Sequence, residues 1–331
     1  MRDRVPAGRS TPTQHPREAR ARKPERPERI VQMSVQLYLI NLAMRWQIKR
    51  RFRKTPDVQL LRPLMEKMEP RMSKLPADIS VEELGLGGVA TEKLFTAGSR
   101  SDAAFLYIHG GGFVAGSPRT HRPLTWRLAK DIGVPVYAID YRLAPEHPFP
   151  AGLDDCVIAY RALLDKGIPA KSILVGGDSA GGNLALTLAL RLKAEGLPLP
   201  AALICLSAAT DMTASGASHI SNAEADSLFV PAMMESLMPV YHPGGDERDP
   251  LVSPLFGDVS GFPPTLLQVG EREMLRDDSV RMSEALKAAG TETTLEVWPK
   301  VWHVWQLNAD MLPEAREAIT HIVRFARQHL Q

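Results

Sequence analysis

A serine stands between two glycines, each two positions away, at Gly177, Ser179 and Gly181. An apolar run ends just before this segment at Val175, and a helix-like stretch over 184–193 follows it. Small flanking residues permit the sharp turn on which a nucleophile is exposed, and the positive end of the following helix favours negative charge there. We therefore interpret Ser179 as a catalytic nucleophile rather than as part of a plain glycine-serine connection.

A serine hydroxyl is a weak nucleophile at neutral pH, so it needs a base, which in turn needs an orienting carboxylate. Of the nine histidines, only His303 falls in a loop directly after the last predicted strand. Trp302 and Trp305 flank it, so a packed structural histidine is the alternative. The chain order of serine, acid and histidine favours His303 as the base.

The acid is expected in the turn after the strand that ends at Val269. Glu273 lies close to the strand end, and it is our preferred acid. Asp277 is the second candidate; with Asp278 it falls where the start of a helix favours carboxylates.

A run of three glycines, 110–112, directly follows a fully apolar predicted strand and lies between His109 and Phe113. Without side chains, their backbone N–H groups can approach a substrate oxygen closely. The run could be a simple flexible loop, but its position ahead of the nucleophile turn favours half of an oxyanion hole.

Strands and helices alternate through most of the chain, which indicates an α/β fold with a mostly parallel central sheet and helices on both faces. The predicted strands cover 89–96, 103–108, 134–139, 172–175, 202–206, 265–269 and 293–297. The predicted helices cover 123–132, 151–164, 184–193, 279–289 and 313–329.

The N-terminal region and one long internal stretch show a less regular pattern. Residues 1–29 are rich in Arg, Pro and Glu, which predicts a disordered basic extension. Residues 30–54 fit an amphipathic helix, packed on the domain or lying on a membrane surface, and 56–68 fit a second helix. The long irregular stretch 211–262 is expected to be an insertion with one helix that contributes to a lid.

Composition narrows the class of protein. The first 54 residues hold 15 Lys or Arg against 4 Asp or Glu, so the formal net charge of +2 hides a body of net charge −9, which disfavours nucleic-acid binding. Cys156 and Cys205 lie in apolar contexts without metal or redox spacing, which favours a cytoplasmic protein. No apolar run is long enough to span a membrane, and the region after the extension has no evident signal cleavage site.

Four motifs together resemble the hormone-sensitive-lipase-like branch of the α/β-hydrolases, which includes many bacterial carboxylesterases, over about residues 30–330. They are His-Gly-Gly-Gly-Phe at 109–113, Tyr-Arg-Leu-Ala-Pro-Glu-His-Pro at 141–148, Gly-Asp-Ser-Ala-Gly-Gly at 177–182 and Asp-Pro-Leu-Val-Ser-Pro at 249–254.

The resemblance implies an α/β-hydrolase domain over 30–331 with a helical cap from 30–70 and 211–250. It implies a small-molecule ester of short to medium acyl length as substrate, and neither a metal nor an organic cofactor. The residues that it assigns are Ser179 as nucleophile, His303 as base, the N–H groups of Gly111, Gly112 and Ala180 as oxyanion hole, and His109 as a brace of the glycine loop.

One position departs from the family pattern. The usual acid is the first Asp of a segment like Asp-Pro-Leu-x-Asp, and here Glu-Met-Leu-Arg-Asp occupies 273–277. The register therefore assigns the acid to Glu273, in agreement with the position of the strand end.

Three alternatives stay open. The same triad could open lactones or remove acetyl groups from small molecules. A non-catalytic ligand receptor is disfavoured. Receptors that resemble this family lack the catalytic histidine, which is present here as His303. Apolar surface on the cap helices and the final helix is compatible with a homodimer.

Overall fold

The computed structural model describes residues 60–72 and 74–331, together with Met1 and Leu37. The chain divides into two units, Met1–Gln32 and Met33–Gln331, and every element below belongs to the second. The predicted extension 1–29 lies outside the described residues, apart from Met1. So does the predicted helix over 30–54, apart from Leu37.

A mostly parallel sheet of eight strands forms the centre of the described residues, in the order β1-β2-β4-β3-β5-β6-β7-β8. Strand β2 pairs antiparallel with both β1 and β4, and all other neighbouring strands pair parallel. This confirms the predicted sheet. The strands are β1 (Ser80–Leu86), β2 (Val89–Phe95), β3 (Ala104–Ile108), β4 (Val136–Ile139), β5 (Ile173–Asp178), β6 (Ala202–Leu206), β7 (Thr265–Gly270) and β8 (Thr293–Trp298).

Helices cover both faces of the sheet. Successive residues of a strand point to opposite faces, so Leu106 of β3 joins one buried cluster and Phe105 joins the other. Helices α3, α4 and α8 contribute to the first cluster, and α2 and α9 to the second. The helices are α1 (Leu61–Met72), α2 (Pro118–Leu128), α3 (Ala151–Asp165), α4 (Ala180–Ala194), α5 (Ser218–Ser221), α6 (Pro231–Glu235), α7 (Met238–Tyr241), α8 (Arg276–Ala288) and α9 (Pro313–His329).

The carboxyl ends of the parallel strands meet at one edge of the sheet, where ligand sites of α/β proteins form. The segments that follow β3, β5, β6, β7 and β8 at this edge carry 109–113, Ser179, Ser207, Glu273 and His303.

One strand, the start of one helix and the content of the insertion are among the features that differ from the sequence prediction. Strand β1 was missed because it is an edge strand in which four of the seven residues are exposed and three are Ser or Glu. Helix α2 begins at Pro118 instead of 123, because Ser117 and Thr120 form a capping box and Pro118 occupies the first turn. The insertion 211–262 holds three short α-helices, α5 to α7, rather than one.

Candidate active site

Ser179 lies at the sharp turn between β5 and α4, with φ 53° and ψ −118°. This conformation is costly for a residue with a side chain. Glycines on both sides make the turn sterically feasible, because a Cβ on Gly177 would lie 2.2 Å, and one on Gly181 2.0 Å, from the carbonyl oxygen of Ile108. The turn therefore packs directly on the end of β3, and α4 begins at Ala180, earlier than its predicted start at 184.

The glycine loop after β3 faces the same cavity as the serine. Gly111 and Gly112 have φ values of 121° and 61°, which glycine adopts without strain. A Cβ on Gly111 would lie 2.1 Å from the carbonyl oxygen of Ala115, so the loop conformation itself requires glycine there. Both glycines line the cavity together with Ser179 and Ala180, so the residues of the predicted oxyanion hole and the nucleophile share one cavity.

His303 lies in the loop after β8 and lines the cavity that also contains Ser179. Its Nδ1 lies 2.8 Å from Oε2 of Glu273, and both side chains are almost fully buried. The ring of Phe229 packs edge-on against the imidazole, with centroids 4.5 Å apart. The imidazole is therefore fixed from one side by a carboxylate and from another by an aromatic ring.

The two candidate acids in the segment after β7 make different contacts. Glu273 contacts His303, whereas Asp277 accepts from the backbone N–H of Ser218 at 2.9 Å and from Arg276 at 2.9 Å. Asp277 lies in the first turn of α8, as the sequence predicted, and its carboxylate is hydrogen-bonded to the insertion and to Arg276. Of the two carboxylates, Glu273 is the one that the structure brings to the predicted base.

The other oxygen of the Glu273 carboxylate is also occupied. The Ser207 hydroxyl donates to Oε1 at 2.8 Å, and the Gly270 N–H donates to the same oxygen at 2.5 Å. Sequence reasoning missed Ser207, because no motif links it to an acid that lies 66 positions further along the chain. Its position directly after β6, at the catalytic edge of the sheet, is the signal that could have drawn attention to it.

A buried polar cluster lies behind the nucleophile and ties the glycine loop to β5. Asp178 accepts from the Tyr107 hydroxyl at 2.6 Å and from the Gly110 N–H at 3.2 Å, and it lies 3.4 Å from Nε2 of His121. Burial is the largest single effect and raises the pKa of Asp178, but His121, the Tyr107 hydroxyl and His303 together outweigh it, so the pKa of the carboxyl is lowered. Sequence reasoning did not pair Asp178 with His121, because the helix that carries the histidine was predicted to start after it.

His109 stays neutral inside this cluster. Its Nδ1 lies 2.8 Å from the Gly110 carbonyl oxygen, and its ring stacks on Tyr141 with centroids 4.3 Å apart. Burial, together with the positive charge of nearby His121, lowers its pKa to about 3. These contacts hold the start of the glycine loop, as the predicted brace requires.

The cavity in front of the nucleophile has a volume of about 490 Å³. Its wall is largely apolar and comes from α1, from the insertion and from the loop after β8. Six methionines line the cavity: Met65, Met68, Met72, Met233, Met234 and Met311.

The insertion is hydrogen-bonded to the turn that carries the acid. The Ser218 hydroxyl donates to the carbonyl of Met274 at 2.6 Å, and the Asn222 amide donates to the carbonyl of Glu273 at 2.8 Å. The carboxylate of Asp226 accepts from the Met274 N–H at 2.8 Å. Three side chains of one segment therefore hold the backbone of Glu273 and Met274.

Within the described residues, no group of three or more His, Cys, Asp or Glu side chains is arranged to hold a metal ion. In the same part of the chain, none of the helices combines the length and apolar character that crossing a membrane requires.

The fold and the site define an α/β-hydrolase, and the family model of the alpha/beta hydrolase fold matches residues 105–307. An acetyl-hydrolase of Streptomyces hygroscopicus is 38% identical over 291 residues, 82% of this chain and 97% of the relative. An esterase of Acinetobacter venetianus is 37% identical over 267 residues, 80% of this chain and 88% of the relative.

Solved structures narrow the family further. The crystal structure of an esterase from the bacterial hormone-sensitive lipase family is 42% identical, with a TM-score of 0.84, and the match covers 91% of this chain and 100% of that one. The chain therefore belongs to the hormone-sensitive-lipase-like esterases of the α/β-hydrolase fold, as its motifs predict.

Proposed function

We propose that the chain is a serine carboxylesterase that hydrolyses short to medium acyl esters through an acyl-enzyme intermediate. Ser179 attacks the ester carbonyl carbon while Nε2 of His303 takes the hydroxyl proton. The imidazolium then protonates the leaving alcohol. Water, activated by the same imidazole, releases the acyl group as a carboxylic acid and restores the serine.

The observation that carries this proposal is the 2.8 Å contact of Glu273 with His303, which lines the same cavity as the strained Ser179. The carboxylate fixes the tautomer in which Nδ1 carries the proton, so that Nε2 is free to accept the proton of the serine. It also stabilises the imidazolium that forms in the transition state.

The oxyanion is assigned to the backbone N–H groups of Gly111, Gly112 and Ala180. Such donors are fixed before the reaction, so they stabilise the developing charge without reorganisation, and each is worth about a hundredfold or more in turnover. The start of α4 adds the positive end of a helix at the same point.

The substrate class is supported by the cavity and by the relatives. About 490 Å³ is within the usual range for a small-molecule site and is large enough for an acyl chain of several carbons. Methionine side chains are flexible and polarizable, so they adapt to acyl groups of different shape. The name of the Streptomyces relative, an acetyl-hydrolase, supports short acyl groups.

The test is hydrolysis of a panel of p-nitrophenyl esters of increasing acyl length, with a lactone and an acetylated amine for the alternative reactions of the same triad. We expect Ser179→Ala and His303→Ala to lose at least about a thousandfold in kcat/KM on every substrate that the wild type accepts. Retention of most activity by either variant would refute the proposal.

His321→Ala is the matched control for the histidine. His321 makes the same type of contact, with Nδ1 at 2.8 Å from Oε1 of Glu296, but it lies outside the cavity. We expect this variant to keep wild-type turnover, so a loss in it as well would indicate a general effect of breaking a histidine-carboxylate pair.

The proposal also includes the cellular location and the cap that the sequence predicts. A cytoplasmic location is supported by the free, buried Cys156 and Cys205. A cap formed by 30–70 and 211–250 is supported by the residues of α1 and α6 that line the cavity. The basic extension over 1–29 and the homodimer stay predictions, and sedimentation of the full chain and of a chain without 1–29 tests the dimer.

A further inference from the structure

Ser207 directly follows β6, and its side chain is fully buried beside the proposed acid. Its hydroxyl donates to Oε1 of Glu273 at 2.8 Å, while Oε2 contacts His303. We propose that Ser207 is a positioning residue of the active site, which holds the glutamate so that its second oxygen is presented to the histidine. The inference rests on the proposed function for the role of Glu273.

A glutamate in this place needs such a contact more than an aspartate would. The extra methylene adds one rotatable bond, so the carboxylate can swing away from the imidazole unless its other oxygen is held. Here the side chain folds back over the end of β7, and a Cβ on Gly270 would lie 2.8 Å from Oε1. The Gly270 N–H and the Ser207 hydroxyl then hold Oε1 from two neighbouring strands.

The hydroxyl has one proton to give, and the geometry assigns it to the carboxylate. As an acceptor, the same oxygen faces the N–H of Val304 at the longer distance of 3.4 Å. Val304 directly follows the proposed base. Ser207 therefore bridges the turn that carries the acid and the loop that carries the histidine.

The strained backbone conformation of residue 207 indicates that its serine side chain has a role. Ser207 has φ 47°, in the left-handed region that favours glycine. Its N–H is fixed by the Gln268 carbonyl oxygen at 2.7 Å, so the conformation belongs to the end of the sheet. Glycine would relieve the strain but would leave Oε1 with one hydrogen bond fewer.

The experiment compares Ser207→Ala and Ser207→Gly with the wild type. Both variants lack the donor, but only glycine relieves the backbone strain, so it keeps the test valid where the alanine variant is poorly folded. We expect both to lower kcat about 10- to 100-fold, since a hydrogen bond to a charged group is removed, with KM within about twofold.

Ser283→Ala is the matched control. Ser283 in α8 is also almost fully buried, and its hydroxyl has no hydrogen-bond partner among the described residues. We expect this variant to keep the wild-type kcat. Equal kcat values for Ser207→Gly, Ser283→Ala and the wild type would overturn the proposal, as would a loss that appears only in KM.

A second readout follows the imidazole itself. The proton on Nδ1 of His303, held by the Glu273 carboxylate, should give a low-field proton resonance. We expect this resonance to move or broaden in both Ser207 variants and to stay in place in Ser283→Ala. An unmoved resonance in a folded Ser207 variant would contradict a positioning role.

The Glu273→Ala variant distinguishes a failure of the proposed function from a failure of the Ser207 inference. If this variant keeps normal turnover, the acid of the proposed function is wrong, and the Ser207 inference fails with it. If Glu273→Ala is inactive while the Ser207 variants behave like Ser283→Ala, the proposed function stands and the Ser207 inference alone is wrong.

Discussion

The sharpest prediction concerns the amide variant of the proposed acid, Glu273→Gln. The Ser207 hydroxyl and the Gly270 N–H both donate to Oε1, so the amide oxygen of the glutamine must take that place. Its NH₂ group then faces Nδ1 of His303. An amide can only donate there, so the imidazole proton is forced onto Nε2, and the nitrogen that should accept the serine proton is blocked.

The expected magnitude follows from the burial of the pair. The Glu273 side chain is only 1% exposed, so water cannot take over the role of the lost carboxylate. Removing a hydrogen bond to a charged group costs about 1.5–3 kcal/mol, which accounts for about 10- to 150-fold in rate. The wrong tautomer adds to this, and the total loss in kcat for such a change in a serine triad is about ten-thousandfold.

The assay is the steady-state hydrolysis of one short p-nitrophenyl ester by the wild type, Glu273→Gln and Asp277→Asn. Asp277 is the matched control, since it lies in the same segment and its carboxylate binds Ser218 and Arg276 instead of the histidine. We expect Asp277→Asn to stay within about threefold of the wild type. A collapse of Asp277→Asn with a mild effect of Glu273→Gln would refute the assignment of the acid.

Two further predictions concern stability. The folded-state pKa of His109 is about 3 because of burial and the charge of His121, whereas the unfolded chain protonates near 6.5, so lowering the pH from 7 to 5 should remove about 2 kcal/mol through this group. Urea unfolding at both pH values should show that His109→Gln loses less unfolding free energy between pH 7 and pH 5 than the wild type. An equal loss in the variant and the wild type would contradict a buried neutral histidine. The Asn183 amide donates to the carbonyls of Ala209 and Val252 at 2.7 Å each from a fully buried position, so Asn183→Ala should cost about 2–4 kcal/mol of unfolding free energy. Thermal unfolding checks this, and a shift of less than about 1 °C would show that the two carbonyls find other partners.

The parts of the site that the sequence predicted well are those that depend on neighbours along the chain. The turn around Ser179 is specified by Gly177 and Gly181, which must be small because Ile108 packs against both. The order of strand ends placed Glu273 and His303 at the same edge of the sheet, and the structure brings these two side chains into contact.

The parts that the sequence did not predict depend on contacts between distant segments. Ser207 looks like any small residue after a strand until β6 and β7 are placed side by side. The contact of His121 with Asp178 requires that α2 start at Pro118, and the prediction missed the capping signal of Ser117. The short helices of the insertion have too few turns to give a periodic pattern, so their number could not be read.

The hydrogen bonds from the insertion to the backbone around Glu273 have a consequence for engineering. A chimera that exchanges 211–250 for the same segment of a relative, with the aim of changing substrate preference, would also exchange the anchors Ser218, Asn222 and Asp226. Such a design alters catalytic competence and selectivity together. Keeping these three side chains and Phe229, which packs on His303, while varying Met233 to Leu237 is the way to change the two properties separately.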